Sequence, residues 1–250
     1  TGMIRLSNIH KRFFKDTDRE VYALRGINLD IERGSFTILI GSNGSGKSTL
    51  LNLIAGNLLP DTGRIFINSR DVTEALDHKR SNNVSRVFQD PLAGTASELS
   101  VMENFRLAAL RSKHKNPTIG LNNEFRKKVI ADISQLGLGL EHKMDQPIGT
   151  LSGGQRQALT LLMTVMDQTD VLLMDEPSSA LDPATAKTVM GLAAQITREH
   201  GLTTLLVTHN LKDAETYGDR IIMLENGSVK KDIHGEGKKV LSSAEIFSWF

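Results

Sequence analysis

The sequence contains no cysteine among its 250 residues. Disulfide bonds, thiolate metal sites and a cysteine nucleophile are therefore excluded. The formal net charge is only +1, which gives no electrostatic reason to expect a nucleic-acid partner or direct binding to an anionic membrane surface. Apolar runs such as residues 171–174 and 203–207 are far shorter than the roughly 20 residues that a membrane span requires. Because the N-terminus also shows no signal-peptide h-region, we expect a cytosolic chain.

The sequence contains enough apolar residues to form a packed core. Hydrophobic residues make up 39% of it and charged residues 24%, so disorder is not the default expectation. At this length the chain can form one sizeable core, or a core with a smaller subdomain. We therefore expect one domain and place it at residues 3–250.

One stretch, residues 34–53, organises the rest of the chain. Residues 36–40 predict a buried strand, and the phosphate-binding pattern G-x-x-x-x-G-K-[ST] follows at Gly41, Ser42, Asn43, Gly44, Ser45, Gly46, Lys47 and Ser48. Its glycines allow backbone N–H groups to curl around a polyphosphate. Lys47 is then placed for the β- and γ-phosphates, Ser48 for Mg²⁺ and Thr49 for the α-phosphate. The alternative, an ordinary glycine-rich turn, would have no use for a lysine at this position.

An antiparallel sheet is predicted beside this strand. Apolar and polar residues alternate at 4–9 and 27–31, and residues 64–68 complete the set. Tyr22 lies between the first two segments, where an exposed aromatic ring could stack on an adenine. A half-buried tyrosine in a hairpin is the structural alternative, and the residue type alone does not decide between them.

Helices and strands then alternate along the first half of the chain. Residues 50–58 continue as a helix, and the turn-forming residues 60–63 end it. A strand at 83–88 ends at Gln89. Helical spacing at 100–111 and 124–136 predicts a helical insertion, and we expect the polar bridge between them, residues 112–123, to be a solvated loop rather than a binding patch.

A further helix is predicted from Leu151-Ser152-Gly153-Gly154-Gln155 to about residue 166. Ser152 is a favourable N-cap. Two glycines in the first turn leave backbone donors open to an approaching anion. Considered alone, however, this segment is more simply interpreted as a capped helix than as a ligand site.

Two later predicted strands end in residues that could bind a metal or transfer a proton. The strand at 170–174 precedes Asp175 and Glu176, and the strand at 202–207 precedes Thr208 and His209. Ligands of α/β proteins bind at the carboxyl ends of the strands, and burying two carboxylates without a cation is costly. The elements still to be placed are a turn at 179–182, a helix at 184–198, strands at 221–225 and 228–232, and a last helix from residue 242 with a capping box. The order of a strand with the phosphate loop and a helix, then a strand with carboxylates and a strand with a histidine, predicts a parallel sheet with nucleotide chemistry along one edge.

Together these segments resemble the nucleotide-binding subunit of ATP-binding cassette (ABC) transporters over essentially the whole chain. The ordered motifs are the phosphate loop, Gln89, the signature segment 151–155, Asp175-Glu176, the turn at 179–182 and His209. One such motif is weak evidence for the family, but six motifs in the same order rarely occur together by chance. The resemblance implies an α/β P-loop NTPase fold of the RecA-like type: a parallel-sheet core with an antiparallel β subdomain at 3–89 and 156–250, and an inserted α-helical subdomain at 90–155.

The resemblance also implies an ATPase that uses ATP and Mg²⁺. Two copies are expected to meet head to tail, each ATP lying between the phosphate loop of one copy and the signature residues Ser152, Gly153, Gly154 and Gln155 of the other. Glu176 would polarise the attacking water, Asp175 and Ser48 would hold the Mg²⁺ shell, and His209 would contact the γ-phosphate. Gln89 would link the metal to the membrane partner. These groups suit phosphoryl transfer, which requires mainly positioning and charge neutralisation.

The partners implied are integral membrane permease subunits and, for an importer, a periplasmic or lipoprotein solute-binding protein. The cassette would lie in the cytoplasm, held by the permease at the inner face of the membrane. Residues 87–104 resemble the segment of small bacterial importer cassettes that faces a coupling helix, in systems for amino-acid-like solutes. The cassette itself does not touch the cargo, so its sequence does not name the solute.

The alternative is an ABC ATPase of a non-transport complex. DNA-maintenance ATPases insert very long coiled coils, whereas here about 60 residues without sustained heptads separate Gln89 from Leu151. Ribosome-acting relatives carry two cassettes in one chain, and this sequence has one. A binding module without hydrolysis would be expected to lose its general base, and Glu176 is present.

Overall fold

The computed structural model describes residues 2–111 and 122–250. Most of the polar bridge at 112–123 lies outside the described residues, so the expectation of a solvated loop stays a prediction. The described strands are β1 (Ile4–Phe13), β2 (Val21–Ile31), β3 (Phe36–Ile40), β4 (Thr62–Ile67), β5 (Arg70–Asp71), β6 (Val84–Val87), β7 (Val171–Asp175), β8 (Thr203–Val207), β9 (Arg220–Glu225) and β10 (Ser228–His234). The described α-helices are α1 (Lys47–Ala55), α2 (Asp77–Arg80), α3 (Val101–Ala109), α4 (Asn123–Ser134), α5 (Gly153–Thr164), α6 (Pro183–Glu199), α7 (Leu211–Thr216), α8 (Glu236–Lys239) and α9 (Ser243–Phe247), and short 3₁₀ helices lie at Leu140–His142 and Ile148–Thr150. None of these helices is both long and apolar enough to cross a membrane.

The central sheet has the strand order β10-β9-β3-β8-β7-β6. Five of its strands run parallel, and β10 pairs antiparallel with β9. Every residue of β3 and β8 is buried, as expected for parallel strands covered on both faces. Ile38 and Ile40 pack with α6 on one side, while Leu39 packs with α1 on the other. The phosphate loop therefore leaves a strand that is held on both faces.

The predicted antiparallel sheet is confirmed, with the order β2-β1-β4-β5. Its strands β1 and β2 are longer than their apolar alternation indicated, because backbone pairing continues through Arg12 opposite Tyr22 and Phe13 opposite Val21. Tyr22 is thus part of β2, not of a connection between strands. The inward residues of this sheet, among them Leu6, pack with α1 in one apolar cluster.

Helix α1 begins earlier and ends earlier than the predicted 50–58. Its last residue is Ala55 because Gly56 adopts the left-handed conformation (φ 87°) and donates its N–H to Asn52 O. The buried guanidinium of Arg80 donates to Leu53 O and Ile54 O at the same helix end. Burial lowers the pKa of Arg80 to about 10, so the side chain keeps its charge at neutral pH.

The turn expected at 60–63 is wrong in part, since Thr62 already belongs to β4.

The helical insertion forms its own apolar cluster. Residues from three helices meet there: Val101, Met102 and Phe105 of α3, Val129 and Ile133 of α4, and Leu159 and Met163 of α5. Helix α5 also carries Leu161, which packs with the central sheet, so this helix joins the insertion to the core. The fold class is therefore confirmed in all three of its parts, while the boundaries at residues 90 and 155 stay predictions.

Candidate nucleotide site

The phosphate loop lies between β3 and α1. Its last glycine, Gly46, is the N-cap of α1 and has a φ of 103°, a conformation that residues with a Cβ rarely adopt. A Cβ at this position would also meet Ala23 O and the Leu24 side chain. Glycine is therefore required here both by backbone conformation and by the close approach of β2.

Lys47 is buried at the first position of α1. Its Nζ donates to two carbonyls of its own loop, Gly41 O at 2.7 Å and Ser42 O at 2.9 Å. Burial lowers the pKa of Lys47, and the nearby carboxylates of Glu176 and Asp175 offset this only in part. The ammonium group therefore lies inside the curve of the loop, where the phosphates of a nucleotide would meet it.

Asp175, the last residue of β7, connects the phosphate loop with the central sheet. Its Oδ1 accepts a hydrogen bond from Ser48 Oγ at 3.5 Å. Its other oxygen, Oδ2, accepts from Arg86 Nη2 of β6 at 2.9 Å. The structure thus brings the two predicted metal ligands of the loop and the strand together, and adds an arginine that we did not predict.

Glu176 and His209 also meet at this edge of the sheet. His209 Nδ1 lies 3.0 Å from Glu176 Oε2, and the side chain of Glu176 is 20% exposed compared with 64% for His209. The Glu176 N–H donates to Val207 O, and its backbone has a φ of 48°. A non-glycine residue in the left-handed region costs free energy, and such residues cluster at functional sites. The carboxylate of Glu176 therefore contacts His209 from a backbone held in an unfavourable conformation directly after β7.

Gln89 and Tyr22, by contrast, lie at the surface. Gln89 is exposed in the bend after β6, whereas Arg86 of β6 itself contacts Asp175. Tyr22 is 45% exposed. The guanidinium of Arg25 lies 4.8 Å from the Tyr22 ring centroid, and that of Arg12 lies 5.7 Å away. The ring is thus accessible, and adenine stacking stays a prediction.

The signature segment forms the start of α5 as predicted. Ser152 Oγ accepts from Gln155 N and Gln155 Oε1 accepts from Ser152 N, a reciprocal capping box. The two glycines pack on residues of other elements, Gly153 near Leu181 and Gly154 against Thr185 at the start of α6. Both interpretations of this segment thus have support, since the helix is well capped and its N-terminus is at the surface.

Gly154 packs so closely on α6 that a Cβ would overlap Thr185 Cγ2. We expect Gly154→Ala to lower the free energy of unfolding by about 1 to 3 kcal/mol, as overpacking does. Thr185→Ser removes that methyl group and keeps the hydroxyl. The double variant Gly154→Ala/Thr185→Ser should therefore recover most of the lost free energy of unfolding. Gly191→Ala is the matched control, because nothing lies near its added Cβ. Urea unfolding measures all three, and equal losses in the single and double variants would contradict this packing role.

Two residues of the site were missed by sequence reasoning. Arg86 lies within a predicted short strand of the central sheet, where a charged residue is a signal that it needs a partner. Asp213 of α7 gave no such signal. Burial raises its pKa, and Ser178 Oγ lies 3.5 Å from its Oδ2. It lines a cavity of about 620 Å³ that also contacts Glu176 and His209.

The arrangement matches the requirements of phosphoryl transfer. A buried cation, a hydroxyl beside a carboxylate, and a second carboxylate beside a histidine all lie at the carboxyl ends of parallel strands. Such groups position phosphates and a water molecule and neutralise developing charge.

Comparisons with known proteins agree with this geometry. The family described as "ABC transporter" matches residues 24–179. A tyrosine transport ATP-binding protein of Clostridioides difficile (strain R20291) is 40% identical over 248 residues, which are 99% of this chain and 98% of that protein. The thiamine import ATP-binding protein ThiQ of Salmonella paratyphi A is 39% identical over 201 residues, 80% of each chain.

Solved structures show the same likeness. A dimeric post-hydrolysis state of the ATP-binding cassette MJ0796, bound to ADP and Pi, has a TM-score of 0.79 and 30% identity, and the match covers 93% of this chain and 98% of that one. The protein cbiO1 from Clostridium perfringens, part of the ABC transporter complex cbiONQ, has a TM-score of 0.80 and 28% identity, covering 99% and 94%. The chain therefore belongs to the ABC transporter family, as an ATP-hydrolysing subunit that binds the nucleotide.

Proposed function

We propose that this ATPase powers the import of a small amino-acid-like solute through separate permease subunits, with a solute-binding protein on the outer side of the membrane. The likeness over nearly the full length to a protein named for tyrosine transport is the observation that carries the solute class. Relatives named for thiamine import and for spermidine/putrescine import support the direction. The chain would then be held at the inner face of the membrane by its permease.

In this proposal, Lys47 binds the β- and γ-phosphates. Its Nζ exchanges the carbonyls of Gly41 and Ser42 for phosphate oxygens, and the loop N–H groups from Gly41 to Thr49 surround the anion. Tyr22 supplies the adenine contact from β2. These groups lie in the loop before α1, in the first turn of α1, or on β2, which packs against α1.

The residues present fit a Mg²⁺ ion. Ser48 Oγ and Asp175 Oδ1 lie 3.5 Å apart, and hydroxyl and carboxylate oxygens are the hard ligands that Mg²⁺ prefers. Bound Mg²⁺ would neutralise charge on the β- and γ-phosphates. Gln89 would reach this position from the exposed bend after β6, which is also where we place the link to the permease.

Glu176 acts as the general base in this proposal, and His209 contacts the γ-phosphate. The distance of 3.0 Å between their side chains places both at one point of the sheet edge. The backbone of Glu176 is held by its bond to Val207 O, so the main chain that carries the carboxylate is positioned independently of any ligand. A water molecule between Glu176 and the γ-phosphate would then lose its proton to that carboxylate.

The signature residues would complete the site of a second copy. Gly153 and Gly154 pack on Leu181 and Thr185 of their own chain, while the exposed N-terminus of α5 faces outward with Ser152. A helix N-terminus favours an anion, and the dimeric MJ0796 structure supports the pairing of two cassettes. Ser152, Gly153, Gly154 and Gln155 would contact the γ-phosphate held by the partner copy.

The transport proposal is tested with the permease that co-purifies with this chain. Reconstituted in vesicles with its solute-binding protein, the complex should hydrolyse ATP faster when tyrosine is present than when thiamine or no solute is present. Purified chain alone is the control, and its rate should not respond to either solute. Stimulation by thiamine alone would overturn the solute class, and the absence of any permease in the purified complex would overturn the transport role.

A further inference from the structure

Arg86 has more contacts than a structural ion pair requires. Its Nη2 donates to Asp175 Oδ2 at 2.9 Å, and its Nη1 donates to Asn52 Oδ1 at 2.5 Å. The guanidinium carbon lies 4.7 Å from the centroid of the Phe88 ring. The side chain is only 14% exposed. The guanidinium is thus held by three different elements: α1, the end of β7 and the segment after β6.

These contacts place Arg86 directly behind the proposed metal ligands. Asn52 follows Ser48 by one helical turn, so both lie on the same face of α1. The two carboxylate oxygens of Asp175 have different partners: Oδ1 accepts from Ser48 and Oδ2 accepts from Arg86. Arg86 therefore occupies one carboxylate oxygen and leaves the other directed at the hydroxyl of Ser48.

The backbone of Phe88, whose ring lies against Arg86, is held by α5. Phe88 O accepts a hydrogen bond from Gln157 Nε2 of α5 at 3.0 Å, and Gln157 is fully buried. The planar guanidinium can stack on a ring while its fork donates to two acceptors, which a lysine ammonium cannot reproduce. The orientation of Arg86 is therefore set by packing as well as by charge.

We propose that Arg86 is a positioning residue of the metal site, which orients the Asp175 carboxylate so that Oδ1 faces Ser48. This inference rests on the proposed metal role of Asp175. Hydrogen-bond partners of ligating carboxylates typically contribute about 10- to 100-fold to metal affinity or activity. The positive charge of Arg86 opposes a nearby Mg²⁺, but it lies on the oxygen that is turned away from Ser48.

The test measures nucleotide binding, not hydrolysis. The dissociation constant of a fluorescent ATP analogue is determined with Mg²⁺ and with excess EDTA. The ratio of the two constants is the metal gain, the factor by which Mg²⁺ increases the affinity for the nucleotide. We expect Arg86→Met to lower this gain about tenfold or more, with the affinity in EDTA unchanged. Arg86→Lys should lower it less, since it keeps the charge but loses the fork.

Arg111→Met is the matched control. Arg111 is also a largely buried arginine that contacts β6, but it donates to Ser85 and Thr169, away from Asp175. We expect this variant to unfold at a lower temperature with the metal gain intact. If Arg86→Met behaves in the same way, or if its metal gain rises because a competing cation has been removed, the inference is overturned. If Arg86→Met does not fold, the lower gain expected of Arg86→Lys decides.

Asp175→Asn separates this inference from the proposed function. If this variant keeps the full metal gain, the metal role of Asp175 fails, and the role of Arg86 fails with it. If Asp175→Asn loses the gain while Arg86→Met and Arg86→Lys keep it, the metal site stands and only the positioning role of Arg86 is wrong.

Discussion

Glu176→Gln should bind ATP with nearly unchanged affinity and hydrolyse it about 10²- to 10⁴-fold more slowly, the usual loss when a general base is removed. Glutamine keeps the shape and the hydrogen-bonding atoms of the side chain, but its amide does not take a proton from water. The backbone bond to Val207 O and the left-handed conformation do not depend on the carboxylate. The substituted side chain should therefore occupy the same position beside His209.

The same variant should accumulate as an ATP-bound dimer, because hydrolysis is the step that would separate the two copies. Phosphate release measures the rate, and size-exclusion chromatography with ATP measures the dimer. Glu199→Gln is the matched control: Glu199 is an exposed acid of α6 that accepts a hydrogen bond from Gln195, and its variant should keep the wild-type rate. Wild-type hydrolysis by Glu176→Gln would remove Glu176 from the role of base.

The second large effect is expected from a mixture of two inactive proteins. Lys47→Ala removes the cation of the phosphate loop, so productive ATP binding should be lost. Ser152→Arg places a long cationic side chain where the partner's γ-phosphate would approach, so hydrolysis should be lost while a single copy still binds ATP. Loss of the Ser152 cap by itself would cost only about 0.5 to 2 kcal/mol of stability.

In a head-to-tail dimer of these two variants, one site carries both lesions and the other carries none. If the copies associate at random and the sites act independently, mixing should restore about a quarter of the wild-type rate, because half of the dimers are mixed and each has one intact site. If both sites must act together, the mixture should still dimerise with ATP, which size-exclusion chromatography detects.

The control mixes Ser152→Arg with the double variant Lys47→Ala/Ser152→Arg. No dimer in this mixture has an intact site, so neither activity nor ATP-driven dimerisation should return. Recovery in this control would show that the variants are not inactive for the proposed reason. A single Ser152→Arg protein that hydrolyses ATP at the wild-type rate would contradict the head-to-tail assignment.

The sequence by itself determined those features that depend on neighbouring residues in the chain. The strand Phe36–Ile40 and the loop after it follow from β-branched residues and glycine positions that act locally. The capping boxes at Ser152 and Ser242 join residues three positions apart. The β7 strand with its terminal carboxylate was equally predictable, because a short apolar run that ends in two acids has few alternatives in a parallel sheet.

Only the tertiary structure decided which groups of distant segments meet. Asp175 lies beside both Ser48 and Arg86 because parallel pairing places β6 next to β7 and α1 packs across them. The placement of Tyr22 in β2 depends on backbone pairing with the polar residues 10–12 of β1, where apolar alternation is absent. Gly154 needs to be glycine because α6 packs against it at Thr185. These contacts join residues far apart in sequence, so local propensity and periodicity carry no information about them, and packing of the core determines them.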